Sequence, residues 1–209
     1  MDINPADLRH HEVHKLMSGS IVPRPIAWVS TRSTDGIPNL APFSFFTAVC
    51  SAPPTVLFCV STRDISLSQK DTLTNILETG EYIINFVSEP LAEAMNITAV
   101  EAPPDVNEFE RAELVAEMGT VVNVPRVAAS PIHFECKLNQ IVTISDQPGG
   151  GNIVIGTIVH MHFDDSVYRE GNYVDVSAFQ PIGRLSGTRY SRVNDFFELQ
   201  RPPSELKKS

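Results

Sequence analysis

Cysteine is scarce in this chain, with only Cys50, Cys59 and Cys136 among 209 residues. No two have the spacing of a redox or zinc pair, which excludes a disulfide framework or a zinc ribbon. They read as reduced, structural thiols, so a cytoplasmic setting is expected. Bases are few as well: 16 Lys and Arg stand against 25 Asp and Glu, a formal charge of -9. Nucleic-acid surfaces need the opposite balance, so no nucleic-acid partner is expected. No apolar run reaches the ~20 residues that cross a bilayer, and residues 1–18 are too polar for a secretory signal. A Gly-x-Gly-x-x-Gly run after the first strand is also missing, which argues against a dinucleotide fold. His10, His11 and His14 cluster without further specified ligands, and His160 and His162 share one strand face; neither set defines a metal site.

What is present favours strands. Hydrophobic residues make up 42% of the chain, with 11 Phe and 16 Pro. Residues 25–31 alternate, with Ile26, Trp28 and Ser30 on one face and Ala27, Val29 and Thr31 on the other. Asp35-Gly36 marks a turn into a second run from Asn39. Val56–Ser61, Tyr82–Val87, His133–Ser145 and Ile153–Phe163 read as further strands, the last two reversed at 148–152. Residues 173–179 form a last candidate strand. Leu73, Ile76 and Leu77 give helical spacing within 68–79, opened by Ser68 with Asp71 at capping-box spacing and ended by Gly80. Short helices are expected at 5–17, where Gly19 and Pro23 limit extension, at 89–97, and as a turn at 194–199. The stretch 101–119 holds six acids and one base, Arg111. It reads as a solvent-facing excursion with a helical piece near 106–114, or as an insertion that covers a substrate or binds a partner. The domain reading is an arm at 1–18, one domain at 19–199 and a tail at 200–209. Mainly antiparallel strands with few crossovers imply a small barrel rather than a doubly wound sheet.

Two segments carry a likeness. One is Arg24-Pro-Ile-Ala-Trp-Val-Ser-Thr31 with Asn39-Leu-Ala-Pro-Phe-Ser-Phe-Phe46. The other is Lys70-Asp-Thr-Leu-Thr-Asn-Ile-Leu77 leading to Gly80-Glu-Tyr-Ile-Ile-Asn85. With Gly183-Arg184-Leu185, Gly187 and Tyr190, this ordered set resembles the flavin reductase-like family of FMN-binding split-barrel proteins. The resemblance implies a mainly β fold with short helices, a six-stranded antiparallel Greek-key split barrel, a homodimer, FMN near the subunit interface, and hydride transfer from a nicotinamide donor to flavin. An FMN-binding electron carrier without catalysis is the alternative. The electron acceptor is not specified.

Chemistry assigns the residues within that frame. A phosphate needs cations and N–H or O–H donors, which a helix start supplies. Ser61, Thr62 and Arg63, followed by Lys70, Asp71 and Thr72, offer those parts, with Arg63, Lys70 and Thr72 as direct contacts and Asp71 as a cap. The ring is expected along Asn39, Ala41, Pro42, Ser44 and Phe45. Phe45 and Phe46 cannot both point inward on a regular strand, and core packing competes for each. Trp28 reads either as ring-adjacent or as core; Arg24 either reaches the cofactor or pairs with an acid across a dimer. Arg184 and Tyr190 are expected to close over the flavin, with ordinary packing as the other reading for Tyr190. Asn85, on a buried strand, must be hydrogen-bonded and supports the pocket from behind.

Overall fold

The computed structural model describes residues 1–62 and 69–203. After a 3-10 turn at Pro5–Asp7, the helix α1 spans His10–Ser20. Strands β1 Ala27–Arg32, β2 Pro38–Phe43, β3 Phe46–Ser51 and β4 Pro54–Ser61 follow, then α2 Asp71–Thr79 and β5 Glu81–Phe86. Next come α3 Ala92–Ile97, α4 Glu108–Arg111, β6 Ala116–Met118, β7 Pro125–Val127, β8 Ile132–Ser145 and β9 Gly151–Phe163. Two short ribbons close the order: β10 Tyr168–Arg169 with β11 Tyr173–Val174, then α5 Val176–Phe179, and β12 Ile182–Arg184 with β13 Tyr190–Arg192.

The main sheet is antiparallel throughout and runs β2-β1-β5-β8-β9-β4-β3. The expected six-stranded Greek-key split barrel is therefore not formed: the sheet has seven strands, and it is open. The extra strand arises where one run from Asn39 was expected. Ser44 and Phe45 interrupt it and divide β2 from β3. These strands are the two edges of the sheet, yet their ends are two residues apart in sequence. A link that short spans at most about 11 Å, so the sheet must curl to bring both edges to it. No ladder joins them among the described residues. Pro38 and Pro42 lie on the β2 edge, and proline has no N–H to donate, which blunts pairing there.

Other elements also depart from the expected pattern. The 173–179 segment is a two-residue bridge followed by α5. Residues 194–199 form no helical turn. Helix α1 continues through Gly19 instead of stopping before it. At α2 the cap is Lys70, and Ser68 lies outside the described residues. Gly80 ends α2 as expected, in the left-handed conformation at φ 71°, its N–H donating to Ile76 O at 2.9 Å.

The concave side of the sheet packs around Val29, Phe58, Tyr82, Ile84 and Val154, and α2 drives Leu73 and Ile76 into the same cluster. Gly156 is required here, because a Cβ would collide with the Tyr82 hydroxyl. The opposite face of β1 is also covered. Trp28 is fully buried with Leu40, Met95, Phe109 and Val127, and its indole N–H donates to Thr98 Oγ1 at 2.8 Å. The core reading of Trp28 is the one realised. Asn85 stitches this layer: Nδ2 donates to Trp28 O at 2.9 Å and Ser30 Oγ at 3.1 Å, and Oδ1 accepts from Val127 N at 2.8 Å.

His133, 1% exposed, contacts Val127 O through Nε2 at 2.8 Å, while Nδ1 has no hydrogen-bond partner among the described residues. Burial above all holds this imidazole neutral and brings its pKa from 6.5 down to about 4. The unfolded chain binds this proton first as pH falls. Stability is thus lost between pH 6.5 and about 4, by roughly 3 kcal/mol at ~1.36 kcal/mol per unit. Urea unfolding across that range is expected to show a flatter pH profile in His133→Gln.

Candidate functional site

The seam of the curled sheet is where backbone and side chains leave the ladder. Phe45 O accepts from Cys59 N–H at 2.8 Å, which fixes the link against β4. Phe45 turns outward, its ring 5.9 Å from that of His14 and 5.8 Å from the Arg24 guanidinium. Phe46 turns the other way, onto the core and the Phe86 ring. The two phenylalanines thus diverge, as alternation requires.

Among the described residues of its own chain, Arg24 is not paired with an acid. It is 5% exposed, and its guanidinium donates to the carbonyls of Ser18, Ile21 and Leu185 and to Ser44 Oγ at 3.3 Å. Burial, with Arg184 nearby, lowers its pKa. The charge sits against the C-terminal carbonyls of α1, where a cation is favoured by the helix dipole. Arg24 is the staple that holds the N-terminal helix, the seam and the 185 loop together. Sequence spacing carries no sign of this, because its acceptors are mostly main-chain oxygens.

Three adjoining cavities carry most of the expected site residues. Asn39, Ala41, Pro42, Lys70, Asp71 and Thr72 line the first, which is walled by residues 98–102 and Glu108. Ser61, Thr62 and Lys70 line the second together with His10, His11 and His14 of α1. The third is an apolar groove of about 700 Å³ between α1 and the outer face of β4 and β9; Phe45 and Ser61 border it with Leu8, Val13, Cys59 and Ile153. Lys70 belongs to the first two cavities, and Ser61 and His14 to the last two. Together they form one furrow along the seam.

Local geometry explains the polar end. Thr62 N–H donates to Gly150 O at 3.1 Å, tying the end of β4 to the glycine-rich reversal between β8 and β9. Gly149 is packed so tightly on His10 that a Cβ would approach it to 2.8 Å. Lys70 caps α2, and its Nζ lies 5.9 Å from the Phe43 ring. Main-chain N–H groups of a first helical turn point out of the helix end towards such a cap.

Some expected residues are placed differently. Arg63 lies outside the described residues. Thr72 is 1% exposed, and its hydroxyl donates to Asn39 Oδ1 at 2.8 Å. Ser44 accepts from Arg24. Arg184 and Tyr190 stand apart from the furrow: Arg184 stacks 4.5 Å over the Tyr190 ring and donates to Gly187 O, while its main chain pairs with Arg24. Two features escape sequence reasoning. The α1 histidines face the Lys70 cavity, for which their bare clustering is the only signal. The acidic stretch is no simple excursion, since Glu108 and Phe109 are 5% and 1% exposed. Alternation could not find them, because one turn of helix carries no period.

Comparison with known proteins places this geometry. The flavin reductase like domain matches residues 17–181. An uncharacterized protein of Aquifex aeolicus is 43% identical over 181 residues, 87% of this chain and 90% of that one. Nitrilotriacetate monooxygenase component B from Bacillus cereus superposes with a TM-score of 0.90 at 33% identity, covering 95% of this chain and 98% of the other. The 2-nitrobenzoate 2-nitroreductase NbaA of Pseudomonas fluorescens gives 0.87 at 33% identity, covering 98% and 100%.

Proposed function

The chain belongs to the flavin reductase like family, and from this premise we propose that it is an FMN-binding oxidoreductase that takes hydride from NAD(P)H, with the cofactor held in the furrow. The donor set fits FMN at both ends. A phosphate finds the Lys70 ammonium, the Ser61 and Thr62 hydroxyls and the start of α2, with His10 and His14 facing the same space. Phe45 borders the apolar groove, which suits a flat ring, while Asn39, Ala41 and Pro42 line the cavity on the other side of Lys70, and Ser44 lies in the link between β2 and β3 beside Arg24. Asp71 and Thr72 shape the helix start, Thr72 through Asn39. We keep Arg63 as a phosphate ligand from its residue type alone, and Arg184, whose main chain pairs with Arg24, with Tyr190 flanks the seam outside the furrow.

When bound, FMN accepts hydride and passes the electrons onward. The protein's part is to orient and to exclude water. Phe45 and the groove wall offer a dry face, and the polar end fixes the anionic head. The observation that carries this reading is that the polar cavity of Lys70, Glu101 and the α1 histidines adjoins the apolar groove and shares Ser61 and His14 with it. Anaerobic mixing of the FMN-loaded protein with NADH and with NADPH tests it. Loss of the oxidised-flavin band with at least one donor is expected; a flavin that stays oxidised with both would refute the reductase reading.

We also propose a homodimer. Strand β3 is a free edge whose residues Thr47 to Ser51 are all exposed, with Val49 at 51%. Such an edge invites a second copy. Light scattering should report twice the 23.0 kDa chain mass, and Val49→Lys should shift it towards the monomer. Among the described residues no helix is long and apolar enough to cross a membrane. The free thiols Cys50, Cys59 and Cys136 fit a reducing, cytoplasmic setting, and a 19–199 domain with an arm and a tail remains our division of the chain.

A further inference from the structure

Glu108 lies in the acidic insertion yet is buried against the flavin furrow. Its Oε2 accepts two hydrogen bonds, from Leu40 N–H and from Asn39 Nδ2, both at 3.1 Å. An ionised carboxylate can only accept, so it dictates which end of the Asn39 amide faces it. The amide oxygen must point the other way. There it accepts from the hydroxyls of Thr72 at 2.8 Å and Thr31 at 3.3 Å, and Thr31 in turn accepts from Asn75 Nδ2 at 3.0 Å. The orientation of an amide is ordinarily ambiguous; here the acid decides it. The row runs from the insertion through β2 and β1 into the first two turns of α2.

We propose that Glu108 is a positioning residue of the FMN site: by setting the hydrogen-bond direction of Asn39, it holds the first turn of α2, and with it Lys70, in register with β2. Glu108 acts through Asn39. The consequence for FMN rests on the functional reading above, whereas the positioning itself rests on hydrogen bonds of the protein alone. Burial raises the Glu108 carboxyl above its ordinary range, the bonds from Leu40 and Asn39 oppose this, and Asp71 adds to it. Lys70 and Glu101 face it across the same cavity, and Glu110 and Arg111 share its helical turn.

The test uses the full chain and removes the acceptor at position 108. Glu108→Ala takes it from both Leu40 N–H and Asn39 Nδ2, whereas Glu108→Gln keeps one side-chain oxygen that can accept from both, as Oε2 does. Hydrogen exchange of residues 69–76 in the flavin-free protein is read first. Glu108→Ala should exchange about tenfold faster than wild type, and Glu108→Gln should stay within about threefold. FMN affinity should follow the same order, with Glu110→Gln leaving both readouts unchanged. A Glu108→Ala variant that exchanges like wild type, or a Glu108→Gln variant no better than Glu108→Ala, would overturn the proposal. Wild-type protein that takes up no FMN would overturn the cofactor reading instead, and the exchange pattern would still decide this one.

Discussion

Lys70→Ala is expected to weaken FMN by roughly 10- to 100-fold and to leave riboflavin almost unaffected. A charge-assisted hydrogen bond is worth about 1.5–3 kcal/mol, which converts to that range. The selectivity follows from position. Lys70 caps α2 and lines the cavity shared with Ser61, Thr62 and the α1 histidines, away from the apolar groove. Removing its charge therefore acts on the phosphate end, which riboflavin lacks. Lys70→Arg should recover part of the loss, since the charge is kept but the shape is not. Titration of each variant with both ligands measures the effect; equal losses for FMN and riboflavin would place the phosphate elsewhere.

Glu135→Ala is expected to cost about 3–5 kcal/mol of stability, the largest single loss anticipated outside the aromatic core. Glu135 is 1% exposed, and its carboxylate accepts main-chain N–H groups of Thr120, Val121 and Val122 at 2.7, 2.7 and 3.0 Å. Truncation would leave all three donors without this acceptor, and the Val122 N–H, on a residue only 3% exposed, would be buried and unpaired. Burial alone would raise the pKa of this acid, but the three N–H bonds together outweigh it and the net shift is downward. A depressed folded pKa means that the contribution is present above the unfolded carboxylate range and is lost as pH falls through the folded value. Wild type and Glu135→Ala should therefore converge in stability towards strongly acidic pH. Denaturant unfolding at neutral and acidic pH measures both claims. Glu135→Gln, which keeps one acceptor, should fall between them.

Much of the sheet is legible in the sequence because period two is a strong signal when each face meets a different layer. Residues 25–31 show this: Trp28 faces one core and Val29 the other. Helix α2 is legible from its apolar stripe and its glycine stop. The division at Ser44-Phe45 is not, because an interruption of two residues looks like continued strand when both flanks are apolar. That division separates the seven open strands observed from the six closed ones expected. The acidic insertion misleads for a related reason. Charge suggests solvent, but Glu108 in the insertion, like Glu135 on β8, is a buried acid whose cost is offset by main-chain donors. Main-chain partners leave no mark in composition, and Arg24 is opaque for the same reason. Within the site, residue types are readable and their grouping is not. Lys70 and Ser61 were expected together, whereas the α1 histidines join them only through the fold.

The placement of FMN is tested most directly by a structure of the protein with the cofactor bound. The account predicts phosphate oxygens within about 3 Å of Lys70 Nζ, beside Ser61 and Thr62, with the ring leading past Phe45 into the apolar groove. A phosphate held instead between Arg184 and Tyr190, with the Lys70 cavity left to solvent, would contradict it.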